Sequence, residues 1–307
     1  MINRSPTIKQ LRYFVALVEH GHFGRAAEAS YVSQSAFSSA IADLEDLLQA
    51  ELVDRTNRSV TITALGQRIA VQARLCLQDV DSLVDMARGN QTPLSGELRL
   101  GIIPTIAPFV LPLALPSLRR KYPDLDLYLI EDQSERIYER LMDGALDLLL
   151  LALPYDMRGV EVEPLWRDHF CLAYREGTDR VDPDDYTVSR LNADSVLLLE
   201  DGHCLRDHAL EACRIRNSQN VRPFAANSLL TLVEMVDADL GITFLPEMAD
   251  GTALLRNTRV ALKPVGQRSY RTIGMAWRKG SRRDEEFELL GSFFKSFAEK
   301  RLGATDA

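Results

Sequence analysis

The stretch from Thr63 to about Gly89 reads as one unbroken helix in which Ile69, Ala73, Cys76, Val80, Leu83 and Ala87 recur at alternating spacings of four and three. That is a coiled-coil seam, and a lone helix cannot bury it. Residues 67–96 are therefore expected to be a dimer-forming linker, with a short module before them and a larger one after them in a chain of 307 residues. Gly89-Asn90-Gln91-Thr92-Pro93-Leu94-Ser95-Gly96 supplies the hinge.

Ahead of the linker, Thr7 and Gln10 make a capping box, and Leu11, Phe14, Val15 and Val18 share one helical face that ends near His20. A second short helix begins at Phe23-Gly24-Arg25. Ser33-Gln34-Ser35 then opens a third, whose Phe37, Ile41, Leu44 and Leu48 face inward. Residues 55–62, polar at their turn and β-branched on their return, read as a two-stranded wing. Residues 1–66 thus form a winged helix-turn-helix.

Beyond the hinge, short apolar runs alternate with amphipathic helices, the pattern of an α/β domain with a mostly parallel sheet. Strands are predicted at 97–103, 125–131, 146–153, 169–175, 195–200, 221–225, 260–265 and 271–278, and helices near 107–121, 134–143, 204–216 and 228–239. A last helix carries Phe287, Leu290, Phe294 and Phe297 as core. Residues 97–307 form one larger domain, with a second lobe, about 166–267, inserted into a first made of about 97–165 and 268–307. The fold class is α+β multidomain.

The longest apolar run, at 145–154, is broken by Asp147 and is far shorter than the roughly 18 residues of a membrane span. No membrane partner is expected. The start, MINRSPTIKQLRYF, has no secretory pattern, so a cytoplasmic location is expected. Four cysteines are too few for a disulfide framework. His203, Cys204, His208 and Cys213 match no usual zinc spacing, so neither a metal nor a cofactor is expected. The net charge of −8 argues against broad coating of nucleic acid but leaves room for a local contact surface.

Such a surface is visible in the first module. A recognition helix places side chains in the major groove while its neighbours hold phosphates. Ser33, Gln34, Ser35, Ser38 and Ser39 offer hydrogen-bonding groups at the start of the third helix, and Gln pairs readily with adenine. Arg25, Arg55 and Arg58 are placed for phosphates. Residues 1–66 carry six Lys and Arg against seven Asp and Glu, so affinity for double-stranded DNA must come from a few oriented arginines and from several modules bound together. The stretch FGRAAEASYVSQSAFSSAIADLEDLLQAELVDRTNRSVTITALG resembles the winged helix-turn-helix of LysR-type transcriptional regulators. Ser35, Gln49 and Val53 stand where that family usually has proline, glycine and phenylalanine. The resemblance spans the whole chain and implies a non-enzymatic regulator with a two-lobed, periplasmic-binding-protein-like effector domain, a homo-oligomeric assembly expected to be a tetramer, and contact with RNA polymerase.

The second candidate site lies in LLLEDGHCLRDHALEACRIR. Cys204 follows a strand-to-helix turn, so its sulfur is expected near a helix N-terminus, where backbone dipoles favour a thiolate. Cys213 is nine residues on, about 13 Å along a continuous helix, whereas a disulfide needs Cα atoms within about 7 Å. Oxidation of the pair would have to unwind the helix, which makes it a conformational switch. This segment resembles the sensing segment of the hydrogen-peroxide sensors among LysR-type regulators. GIIPTIAPFVLP, EDQSER and RTIGMAWRKGS resemble the surrounding parts of that sensor. The resemblance implies that Cys204 is peroxidatic and Cys213 resolving, that Thr105, Ser134, His203, Asp207 and Arg271 bind peroxide, and that a cellular dithiol reductant resets the disulfide.

Plainer readings stand beside these. Cys76 and Cys171 read as buried, inert packing, Thr105 as a helix cap and Arg271 as a surface strand residue. A LysR-type regulator clasping a small organic effector between its lobes needs no reactive thiol, and a thiol peroxidase with incidental DNA binding would turn over many times.

Overall fold

The computed structural model describes residues 5–55, 60–87, 93–186, 191, 195–213, 225–303 and 305–306. Arg58, the hinge residues 89–92, most of the strand predicted at 221–225 and the tail 214–216 of a predicted helix lie outside them, as does the side chain of Arg55. The chain divides into two compact units, the first made mostly of residues 1–93 and the second mostly of residues 94–307.

In the first unit, α1 (Ile8–His20), α2 (Phe23–Ala29) and α3 (Gln34–Leu48) precede β1 (Val53–Arg55), β2 (Val60–Ile62) and the long α4 (Ala64–Ala87). Thr7 caps α1 through the expected box with Gln10. Phe14, Leu17, Phe37, Ile41, Leu44 and Leu52 make a fully buried core, and Phe37 stacks on Tyr13 at 5.0 Å. Burying each such side chain contributes roughly 1.5–3 kcal/mol. β1 and β2 pair antiparallel as the wing. Its entry is pinned by Glu45, whose carboxylate accepts from the backbone of Leu52 and Val53 at 2.8 and 3.0 Å. Gly66 in the first turn of α4 has no substitute, because a Cβ there would lie 2.3 Å from the Leu52 carbonyl oxygen. Along α4, Cys76 is exposed and Leu83 is 61% exposed. The expectation of a buried Cys76 is therefore corrected: one chain leaves that part of the seam open, as a helix that needs a partner must.

The second unit contains β3 (Gly96–Ile102), α5 (Ala107–Lys121), β4 (Leu125–Glu131), α6 (Ser134–Met142), β5 (Leu148–Leu153) and β6 (Val160–Arg175). They are followed by α7 (Cys204–Ala212), α8 (Leu229–Asp237), β7 (Thr243–Pro246), β8 (Val260–Pro264), β9 (Tyr270–Arg278), α9 (Asp284–Arg301) and β10 (Thr305–Asp306). The sheet runs β10-β6-β9-β5-β3-β4, with β7 and β8 also on β6. Only β3–β4 and β3–β5 are parallel among these ladders, while β5–β9, β6–β9, β6–β7, β6–β8 and β6–β10 are antiparallel. The mostly parallel sheet expected from the alternating pattern is thus corrected to a mixed one. Its cause is β6, which starts nine residues earlier than predicted and carries the chain into the β7–β8 region while β9 brings it back alongside. The strand predicted at 195–200 is reduced to two parallel bridges, Val196 to Ile242 and Leu199 to Ala226. β5 is almost wholly buried, and Phe287, Leu290, Phe294 and Phe297 of α9 are core as expected. Among the described residues, no helix is long and apolar enough to cross a membrane.

Candidate functional site: a buried thiol beside a guanidinium

In the helix-turn-helix, Ser33 is the N-cap of α3, its hydroxyl accepting from the Ala36 backbone at 3.3 Å and lying 3.2 Å from the Ser35 hydroxyl. Gln34, Ser35 and Ser39 are exposed and Ser38 is half-buried. Exposed Arg25 donates to the His20 carbonyl at 2.8 Å, which fixes the direction of its guanidinium. His22, which shows no partner in the sequence, caps α2 by accepting from Gly24 at 3.0 Å. Sequence reasoning missed Tyr31. It is 96% exposed in the turn before α3 with φ at 55°, a conformation that presents the ring outward.

The second site is assembled from five separate segments. Arg271 on β9 is buried, and its Nε donates to Asp168 on β6 at 2.9 Å, directly across the antiparallel register. Its Nη1 donates to the Thr105 hydroxyl at 2.9 Å and its Nη2 to the Thr105 carbonyl at 2.8 Å. Both plain readings are corrected here: Thr105 is an acceptor for a buried cation, and Arg271 is no surface residue. The Thr105 hydroxyl, with its acceptor side taken by Arg271, keeps a proton to donate onward. Asp168 was not legible in the sequence, because only the pairing of β6 with β9 puts it opposite Arg271. Burial pushes the Asp168 carboxyl up, while the guanidinium pulls it down.

Cys204 begins α7, as expected, with His203 at the N-cap position. Its side chain is buried, and burial raises the thiol against the lowering effects of the Arg271 cation, the Ser134 hydroxyl and the Ala152 backbone. Asp207 raises it further. The expectation that the helix N-terminus would favour the thiolate is thus outweighed in the reduced protein, where desolvation is the larger effect. Ser134, at the start of α6, is buried with no hydrogen-bond partner for its hydroxyl among the described residues, and it lowers the Cys204 thiol. His203 is held neutral by burial.

The structure therefore brings Thr105, Ser134, Asp207, Arg271 and Cys204 into one neighbourhood and leaves Cys213 outside it, at the C-cap of α7. Burial pushes the Cys213 thiol up to about 12. Cys171 on β6 is also buried, as expected, and its thiol too is pushed up to about 12 by burial. Cys204 lines a cavity of about 280 Å³ with His208, one helical turn on. Nε2 of His208 lies 3.1 Å from the Pro154 carbonyl, to which it must donate, and Nδ1 has no partner. Sequence reasoning named His208 only within an array whose spacing argues against zinc; its spacing of four from Cys204 was the available signal.

Two family models cover nearly the whole chain: residues 8–67 match the bacterial regulatory helix-turn-helix protein, lysR family, and residues 91–299 match the LysR substrate binding domain. The chain belongs to the LysR family. Among LysR-family relatives it is 40% identical to the HTH-type transcriptional regulator EstR of Acinetobacter baylyi, covering 94% of this chain and 96% of that one. It is also 40% identical to a probable hydrogen peroxide-inducible genes activator of Streptomyces viridosporus, covering 94% and 93%. The structure is similar to that of a full-length OxyR point variant from Pseudomonas aeruginosa, with a TM-score of 0.80, 30% identity and 95% of each chain covered. As a LysR-family member the protein is a transcription regulator and not an enzyme.

Proposed function

We propose that this LysR-family regulator senses hydrogen peroxide through Cys204 and stores the signal as a Cys204–Cys213 disulfide. The observation that carries the reading is the constellation around one thiol: Cys204 sits at a helix start and lines a cavity, with a buried Arg271 and the Ser134 hydroxyl both favouring its thiolate. In the first step the Cys204 thiolate attacks one peroxide oxygen. An S–O bond forms, the O–O bond breaks, and the departing hydroxide takes a proton and leaves as water. Thr105, through its free hydroxyl proton, and Arg271 are the groups that meet charge developing on the oxygens. In the second step the Cys213 thiolate attacks the Cys204 sulfenic acid, and a second water leaves. Sulfur is oxidised by two electrons and one peroxide becomes two waters.

Cys213 cannot take part from where it stands. It is nine residues along α7, about 13 Å along the axis, and its burial holds the proton on. The disulfide therefore follows loss of α7, and the rearranged regulatory unit changes how subunits pair in a tetramer. That re-spaces the recognition helices, on which Ser33, Gln34, Ser35, Ser38 and Ser39 meet bases while Arg25, Arg55 and Arg58 meet phosphates, and it alters contact with RNA polymerase. A cellular dithiol reverses the bond. The similarity to a peroxide-inducible activator and to OxyR supports this reading. The equal identity to EstR favours a second one, a small organic effector in the regulatory domain with both thiols as packing.

Peptide mass spectrometry of the reduced protein after about one equivalent of hydrogen peroxide, with remaining thiols alkylated, separates the two. Loss of two hydrogens with a linked Cys204–Cys213 peptide is the expected result. Four free thiols would overturn the reading.

A further inference from the structure

The cavity that Cys204 lines is rimmed by Glu135, Asp156, Asp207 and Glu211, all four exposed. None of them has an ion-pair partner among the described residues, and no Lys or Arg is among the described residues lining the cavity. Their charge reaches inward: Asp207 raises the Cys204 thiol, Glu135 raises the Tyr155 hydroxyl, and Asp207 and Glu211 act on His208. The cation that acts on Cys204 and His208, Arg271, is buried and already paired with Asp168. A cleft lined by one sign of charge against low-dielectric walls focuses the field along its axis. His208 provides a second, independent indication. It is buried, neutral because burial lowers its imidazole, and retains Nδ1 as an unsatisfied acceptor. Such a wall favours a ligand that still carries an O–H proton and gives nothing to an oxyanion.

We propose that Glu135, Asp156, Asp207 and Glu211 form a charge filter that admits neutral hydroperoxides to Cys204 and turns away anionic oxidants and thiols. The filter rests on the reading of Cys204 as the reacting thiol and adds selectivity to it. The two cysteines are thereby segregated by charge. The separate cleft of about 480 Å³ beside Cys213 is lined by Arg268, Gln267 and Ser269, with no carboxylate among its described residues. In the reduced protein an anionic probe meets no repulsive rim there.

The test uses the full-length reduced protein and two alkylating probes of similar size, neutral iodoacetamide and anionic iodoacetate. Rates at each cysteine are read by peptide mass spectrometry, and free N-acetylcysteine in the same buffer serves as the reference. Taking the ratio of the two rates at one thiol cancels its thiolate fraction. The expected result is a preference for iodoacetamide at Cys204 roughly tenfold or more above that of N-acetylcysteine, in keeping with the rate effects of focused fields. About 0.5 M salt should compress it, because screening shortens the reach of the rim. The variant Glu135→Gln/Asp156→Asn/Glu211→Gln, which leaves only Asp207 of the four, should bring the ratio at Cys204 most of the way to that of N-acetylcysteine. Equal ratios at Cys204 and N-acetylcysteine with the natural protein, or a preference that neither salt nor the triple variant changes, would overturn the filter. Hydrogen peroxide added in parallel reports separately on the sensor reading: Cys204 left unoxidised while still discriminating between the probes would remove the sensor and keep the filter.

Discussion

At Gln49 and at Asp168, a single residue carries a cost that its surroundings offset. Gln49 ends α3 in the left-handed region with φ at 50°, a conformation that glycine adopts without strain. Gln49→Gly is expected to raise the stability of the helix-turn-helix by roughly 0.5–1 kcal/mol, less than the full strain because glycine also frees the unfolded chain. Thermal melts of the single substitution in the full chain, followed by helical circular dichroism, check the direction. Asp168 is the opposite case. It is buried with Arg271, and Asp168→Asn leaves the guanidinium without its counter-charge. Removing one partner of a buried pair costs roughly 3–5 kcal/mol. Both tryptophans, Trp166 and Trp277, lie in the second unit, so their fluorescence in urea reports that unit's unfolding. A midpoint unchanged from the natural protein would show that Asp168 is not the group holding Arg271 in place.

Among the elements, α7 is the one whose stability should set the speed of switching. It is nine residues long, below the length at which a helix stands alone in water, and His203 gives it no side-chain cap. Arg206 ties its first turn down by donating to the Leu199 carbonyl at 3.2 Å; its ion pair with Asp201, which is 92% exposed, adds little. Arg206→Ala should lower amide protection across 204–212 and speed disulfide closure several-fold, with the preceding sulfenic acid forming at an unchanged rate. Stopped-flow oxidation with a sulfenic-acid trap resolves the two steps. Elements such as α1, α3, α5 and α9 were legible in the sequence because periodicity and caps act within a few residues. The sense of the sheet was not, since β6 pairs with strands more than a hundred residues away. The site divides the same way: Cys204, Cys213, Thr105, Ser134 and Arg271 were named from motifs, while Asp168 depends on register and the unpaired Nδ1 of His208 on packing. The exposed Leu83 on α4 belongs to this scale too. Leu83→Glu places a charge on the seam and is expected to shift sedimentation from dimer or tetramer toward monomer, with DNA affinity falling as the modules separate.

For the molecule as a whole, the buried thiols make alkaline stability depend on redox state. Cys171 and Cys213 are both raised from 9.0 to about 12, in each case chiefly by burial, and the Cys171 charge acts on Cys213. Tyr186, raised from 10.0 to about 12, feels both thiols, so the three groups share one region of the regulatory unit. A group whose value is raised in the folded protein binds its proton more tightly there than in the unfolded chain. Its contribution to stability is complete below pH 9 and is lost as pH climbs through the interval to about 12. The reduced protein should therefore lose stability with a slope of about 1.4 kcal/mol per pH unit for each such thiol in that interval. Cys213→Ala removes one of these terms and should flatten the slope by about that amount. If the disulfide forms, the oxidised protein should show a larger flattening, because both Cys204 and Cys213, each raised by burial, then have no proton to lose. Urea midpoints from tryptophan fluorescence at pH 8, 9, 10 and 11, with and without reductant, measure all three slopes. Identical slopes for the reduced natural protein and Cys213→Ala would mean that the thiol titrates as it does in water, and that α7 does not bury it in solution.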